Sequence, residues 1–116
     1  MNFAGRTALV TGAGGGIGSA VARAFAAAGA DLSLADLKPV PALAAEVQAA
    51  GRRVLDMPTD VTQSAQVSAL IRATLEAFGK IDVLVNVAGT VSFGAAQTLS
   101  EAEWERVLAV RKELSP

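Results

Sequence analysis

Two features of this 116-residue chain could do chemistry. One is the octapeptide Thr11-Gly12-Ala13-Gly14-Gly15-Gly16-Ile17-Gly18; the other is the carboxylate of Asp36, 18 residues after Gly18. The octapeptide follows an apolar run at 7–10 and leads into an alanine-rich stretch at 17–28. Glycines between a strand and a helix let the backbone turn sharply and approach a ligand without a Cβ in the way. The helix behind them opens with unpaired N–H groups and a positive dipole end, which suits a pyrophosphate. A tight strand-to-helix connection without ligand would also use such glycines. Asp36 sharpens the reading, because an acid about 20 residues past a glycine loop can accept hydrogen bonds from ribose hydroxyls. Its plain alternative is a solvated acid at a strand end. The same charge repels a 2′-phosphate, so NAD is expected over NADP. No Lys or Arg lies in the octapeptide and Leu37 follows Asp36, in agreement, although the charge of Lys38 offsets part of the repulsion.

The spacing is Gly-x-x-x-Gly-x-Gly, and the octapeptide, led by Thr11 and ending Gly16-Ile17-Gly18, resembles the cofactor loop of short-chain dehydrogenase/reductases. Two further motifs in order extend the resemblance. The pair Asp60-Val61 falls where the family lines its adenine pocket, the carboxylate facing the exocyclic amine. Asp60 or Thr62 could equally start the following helix as an N-cap. Asn86-Val87-Ala88-Gly89 resembles the family's Asn-Asn-Ala-Gly, with Val87 in place of the second Asn. There the resemblance implies that Asn86 braces the central sheet and that Ala88-Gly89 passes close to the cofactor ribose. The implied cofactor-binding set is therefore Thr11, Gly12, Gly16, Ile17, Gly18, Asp36, Leu37, Asp60, Val61, Asn86, Ala88 and Gly89. The implied activity is that of an NAD(P)-dependent oxidoreductase of alcohol or keto groups, taking a dinucleotide and a small alcohol or carbonyl substrate, in relatives that form homo-oligomers.

The resemblance spans about residues 5–110 and departs over 111–116, where Arg111 stands in place of the family's Asn. The family's catalytic Ser and Tyr-x-x-x-Lys have no counterpart, and the chain contains no Tyr. No catalytic residue is assigned. Hydride transfer requires a matching proton transfer, and losing its general acid costs ~100- to 10,000-fold. The chain is expected to be a partial, truncated NAD(P)-binding domain, inactive alone.

To position these residues the chain must alternate strands and helices. Strands are expected at 7–11, 31–36, 53–58 and 81–86, and helices at 16–28, 41–50, 63–78 and 100–112. Pro41 sits near the first position of the second helix, and Gly29, Gly51 and Gly79 fall just past helix ends. Ser100 and Glu103 have capping-box spacing for the last helix. Such alternation implies right-handed βαβ crossovers, an α/β fold and a Rossmann-like parallel sheet of four strands in the order 3-2-1-4. The fourth strand would then be an open edge, with residues 90–97 a loop walling the substrate cleft and Phe93 either touching substrate or packing on the body. Left uncovered, several hundred Å2 of apolar surface would cost several kcal/mol at ~25 cal/mol per Å2, enough to favour association.

Composition excludes several other chemistries. Hydrophobic residues make up 52% of the chain, as expected of parallel strands buried on both faces. A net charge of −1 from 10 basic and 11 acidic residues offers no nucleic-acid patch and no membrane face. Without Cys or His there is no disulfide framework, thiolate nucleophile or expected metal site. No apolar run is long enough to span a membrane, no leader pattern is apparent, and a cytoplasmic location is expected. Two other readings stay open: a non-catalytic dinucleotide-binding or regulatory module, and a degenerate truncated product.

Overall fold

The apolar runs at 7–11, 32–35 and 83–86 form strands whose side chains are buried on both faces of the sheet. The computed structural model describes residues 2–87 and the backbone of 91–93. In chain order the elements are β1 (Thr7–Thr11), α1 (Gly16–Ala27), β2 (Asp31–Ala35), α2 (Pro41–Ala49), β3 (Val54–Asp56), α3 (Ser64–Phe78), β4 (Val83–Asn86) and β5 (Val91–Phe93). The sheet order is β3-β2-β1-β4-β5, and the first four strands are parallel, as the sequence implied. The expected helix at 100–112, with its Ser100–Glu103 cap, lies outside the described residues.

Side chains alternate between two cores. Ala8, Val10, Leu32, Leu34, Val83 and Val85 face one side, against Ala22 and Ala26 of α1 and Leu43 and Val47 of α2. Leu9, Ala35 and Leu84 face the other, against Val67, Leu70 and Ile71 of α3. The small alanines of α1 let that helix approach the sheet closely. One polar pair is buried in the α3 layer: the hydroxyls of Ser33 and Thr74 lie 2.8 Å apart. Thr74 Oγ1 donates to the Leu70 carbonyl at 2.8 Å, which leaves Ser33 as donor to Thr74.

At the amino end of the sheet, the buried Asp82 carboxylate accepts the Thr7 N–H at 2.8 Å, flanked by Arg6 at 3.4 Å and Lys80 at 3.5 Å. It ties the segment before β4 to the start of β1. Pro41 opens α2, and the Asp56 carboxylate accepts the N–H of the preceding Val40 at 3.0–3.1 Å. The three glycines expected after helices all have positive φ.

The structure corrects the expected open edge. Strand β5 pairs antiparallel with β4, with Val83 opposite Phe93, Leu84 opposite Ser92 and Val85 opposite Val91. Residues 91–93 are therefore strand and not loop wall. A free edge presents unpaired N–H and C=O groups, and a short return can satisfy them only in the antiparallel sense, since a parallel neighbour needs a long crossover. Strand β3 is also shorter than expected: Met57 still donates to Leu34 O at 3.0 Å, but Pro58 has no N–H to continue the ladder.

Candidate functional site

The carboxyl ends of β1, β2 and β4 converge where the strand order reverses, the place where open α/β sheets bind ligands. A cleft of about 390 Å3 lies there, lined by Thr11, Gly12, Ala35, Asp36, Leu37, Thr59, Asp60, Val61, Thr62, Asn86 and Val87. The first strand delivers Thr11 and the glycine loop. Its neighbours deliver Asp36 on one side and Asn86 on the other.

The loop is shaped by backbone contacts that need glycine. Gly12 has φ +70°, the left-handed region, and a Cβ there would also come within 3.0 Å of Val87 Cβ. At Gly18 a Cβ would collide with the Gly12 carbonyl oxygen and lie 2.8 Å from its carbon and 3.0 Å from Ala13 Cα. The first turn of α1 thus packs directly on the loop. Between them Ala13 is fully buried, and its N–H bonds to Ala35 O at 3.1 Å. Helix α1 is capped by Gly15 without any side-chain hydrogen bond and carries no acid in its first turn. Its leading N–H groups and dipole end are therefore available to an anion.

Asp36 is anchored to this loop. Its Oδ2 accepts the Gly14 N–H at 2.8 Å and its Oδ1 accepts the Leu37 N–H at 2.7 Å. Its carbonyl accepts the Thr59 N–H at 2.7 Å, which joins the ends of β2 and β3. Across the cleft, Thr11 Oγ1 lies 3.2 Å from Asn86 Oδ1 and 3.4 Å from Val85 O, so a buried hydroxyl clamps β1 to β4.

Asp60 does not cap α3. Its Oδ1 accepts the Thr62 N–H at 2.9 Å and the Thr62 hydroxyl at 2.6 Å, a local turn ahead of the helix. The N-cap of α3 is Gln63, again without a side-chain bond, so the reading of Asp60 or Thr62 as N-cap is corrected. The Asp60 N–H is taken by Gln66 Oε1 at 2.8 Å, reaching back from the first turn of the helix.

Seven of the sequence-derived residues share the cleft: Thr11, Gly12, Asp36, Leu37, Asp60, Val61 and Asn86. Gly16, Ile17 and Gly18 sit beside it at the opening of α1. Ala88 and Gly89 lie outside the described residues. Ile17 and Leu37 are 71% and 69% exposed, two large apolar side chains facing solvent near the site. Ala35, Thr59, Thr62 and Val87 were not anticipated. Ala35, Thr59 and Thr62 adjoin recognised residues and Val87 lies within the Asn86-Val87-Ala88-Gly89 motif, and that proximity was the available signal. Among the described residues, no basic side chain lines the cleft, and two acids do. Among the described residues, no group of His, Cys, Asp and Glu could hold a metal, and no helix is long and apolar enough to cross a membrane.

Known proteins are similar to this chain. The family model for short chain dehydrogenase matches residues 6–112. D-threitol dehydrogenase of Mycolicibacterium smegmatis is 41% identical over 91% of this chain and 42% of its own length. The 2,3-dihydro-2,3-dihydroxybenzoate dehydrogenase of Bacillus subtilis is 38% identical over 91% of this chain and 41% of its own. Among solved structures, a short-chain type dehydrogenase/reductase from Mycobacterium marinum aligns with TM-score 0.74 and 31% identity, covering 97% of this chain and 49% of that one. A short chain dehydrogenase/reductase from Burkholderia phymatum, in complex with NAD, aligns with TM-score 0.64 and 43% identity over 72% of this chain and 31% of that one. The chain spans less than half the length of these relatives. With the glycine loop, the acid after β2 and the braced Asn86 at one switch point, the match over residues 6–112 places this chain in the short-chain dehydrogenase family.

Proposed function

We propose that this chain forms the adenosine- and pyrophosphate-binding portion of an oxidoreductase of alcohol or keto groups, with NAD preferred over NADP. The observation that carries the reading is the Asp36 carboxylate, held by the Gly14 and Leu37 N–H groups at the edge of the cleft. A carboxylate has about four acceptor positions, so two remain for the ribose hydroxyls after those N–H groups are served. A 2′-phosphate would meet a fixed negative charge and, among the described residues, no cationic side chain in the cleft lining.

The other parts of the dinucleotide would be held by neighbouring residues. Pyrophosphate would lie against the uncapped first turn of α1, at the N–H groups of Gly16, Ile17 and Gly18. Asp60 and Val61 would hold the adenine, with exposed Leu37 flanking it. Asn86, Ala88 and Gly89 would border the nicotinamide-proximal ribose. The bound nicotinamide would supply the hydride acceptor or donor. The chain's own part is to bind and orient, with Thr11 and Asn86 keeping the ends of β1 and β4 in register.

The relatives are named as dehydrogenases of differing substrates, and the substrate of this chain is proposed only as a small alcohol or carbonyl compound. A second reading is a dinucleotide-binding module without turnover of its own. Calorimetric titration tests the common core of both. NAD should bind more tightly than NADP, and Asp36→Ala should narrow the gap; tighter NADP binding by the unaltered chain refutes the proposal.

A further inference from the structure

We infer that Gly14 is a specificity-determining position, because its missing side chain is what lets the Asp36 carboxylate latch onto the glycine loop. This rests on the reading of the cleft as a dinucleotide site. The Gly14 N–H meets Asp36 Oδ2 at 2.8 Å, and a Cβ on Gly14 would stand 2.8 Å from that same oxygen, 3.3 Å from Val40 Cγ1 and 3.4 Å from Asp36 Cγ. The latch and a side chain at position 14 therefore compete for one space. Backbone strain is not involved, since Gly14 is not among the glycines with positive φ. Gly14 is itself exposed, and the atom struck is the free end of a rotatable side chain. An alanine at 14 can be accommodated by the carboxylate turning away, with the fold intact.

The consequence is particular to cofactor choice. Latched by Gly14 and by Leu37, the carboxylate has both oxygens engaged and is held in one position. Its remaining acceptor capacity faces the ribose in one fixed arrangement, and a 2′-phosphate cannot displace it cheaply. Released from Gly14, it keeps its charge but loses its position. Hydrogen bonds to the ribose hydroxyls weaken, and the carboxylate gains room to retreat from a phosphate. Selectivity then falls without any change in charge.

The experiment compares the 116-residue chain with Gly14→Ala, Asp36→Asn and Asp36→Ala, titrating each with NAD and with NADP by calorimetry and recording its thermal midpoint. Gly14→Ala is expected to weaken NAD by about tenfold, the scale of one charge-assisted hydrogen bond, with NADP unchanged or improved and the midpoint retained. Equal losses for both cofactors, or no loss for either, overturn the inference. Amide hydrogen exchange at Gly14 reads the latch without cofactor. It should be slow in the unaltered chain and in Asp36→Asn, whose side-chain oxygen can still accept, and fast in Asp36→Ala. Equal exchange in Asp36→Ala and the unaltered chain overturns the latch even if Gly14→Ala does not fold. Failure of the unaltered chain to bind either dinucleotide, with Gly14 exchange as expected, refutes the dinucleotide reading and with it the role in selectivity.

Discussion

Gly18→Ala sets two effects against each other whose sizes can be compared. Gly18 lies in the first turn of α1, and replacing a helical glycine by alanine favours the helix by up to about 1 kcal/mol. Against this, the new Cβ would overlap the Gly12 carbonyl and lie within 3.0 Å of Ala13 Cα. These are backbone atoms, so no rotamer change relieves the contact. The loop cannot simply withdraw, because Ala13 is fully buried and its N–H is bonded to Ala35 O. Overpacking of this kind costs about 1–3 kcal/mol, and more when backbone must move. A net loss of about 1–2 kcal/mol follows, or a fall in thermal midpoint of roughly 5–10 °C for a chain of this size. The loss in NAD affinity should be larger than the loss in stability, because the atoms pushed apart are those that would cradle the pyrophosphate. Circular-dichroism melts and calorimetric NAD titrations of both chains test this. A midpoint equal to or above that of the unaltered chain, with NAD binding unchanged, would mean that helix propensity outweighs loop packing and that the close approach of Gly18 to Gly12 is unimportant.

Other outcomes can be checked at separate places in the fold. Asp82→Ala leaves the buried Thr7 N–H without its acceptor and should cost about 1–3 kcal/mol in denaturant unfolding, whereas Asp82→Asn, which can still accept, should cost distinctly less. Glu46 should titrate below an ordinary glutamate because Arg23 donates to it at 2.6 Å, so its stabilisation is present above pH about 4.5 and is lost as pH falls through its lowered value. Arg23→Gln should return Glu46 to its ordinary titration by carboxyl-carbon NMR with little change in midpoint, since both side chains are exposed. The 116-residue chain, which has no Tyr, should leave NADH absorbance unchanged across a panel of ketones and secondary alcohols; turnover abolished by a single substitution in this chain would contradict that.

Much of the site was legible because its parts are local in sequence. The glycine spacing, the strand before it and the helix after it are contiguous, and Asp36 follows at the distance one βαβ crossover dictates. The parallel order of β1 to β4 follows from the same alternation. What escaped depends on contacts between segments. Nothing in the octapeptide says that Gly14, and not another glycine, meets Asp36, because that depends on how far β2 extends past β1. Thr59 was passed over since its role is a backbone bond to Asp36 O, which any residue type could make. Strand β5 was missed because three residues, Val91-Ser92-Phe93, are too few to show a period, and the free edge of β4 recruits them.

Asp36 and Asp60 show why residue type alone under-determines a role. Both are acids that follow strands ending at the same face of the sheet, and from sequence each could be a ligand contact, with a solvated strand end as the alternative for Asp36 and a helix cap as the alternative for Asp60. The structure gives the two carboxylates different kinds of contact. Asp60 turns Oδ1 onto Thr62, two residues on, an arrangement that its own segment could form. The carboxylate of Asp36 instead takes an N–H from a loop 22 residues earlier, a contact that exists only once β1 and β2 have paired. A charge positioned by tertiary structure is preorganised with respect to the loop beside it, and discrimination between ligands differing by one phosphate depends on such preorganisation. If that reasoning holds, substitutions at Asp60 should alter adenine affinity equally for both cofactors, while those at Asp36 and Gly14 should alter the ratio between them. Equal effects on that ratio from Asp60→Ala and Asp36→Ala, measured by calorimetry, would refute the distinction.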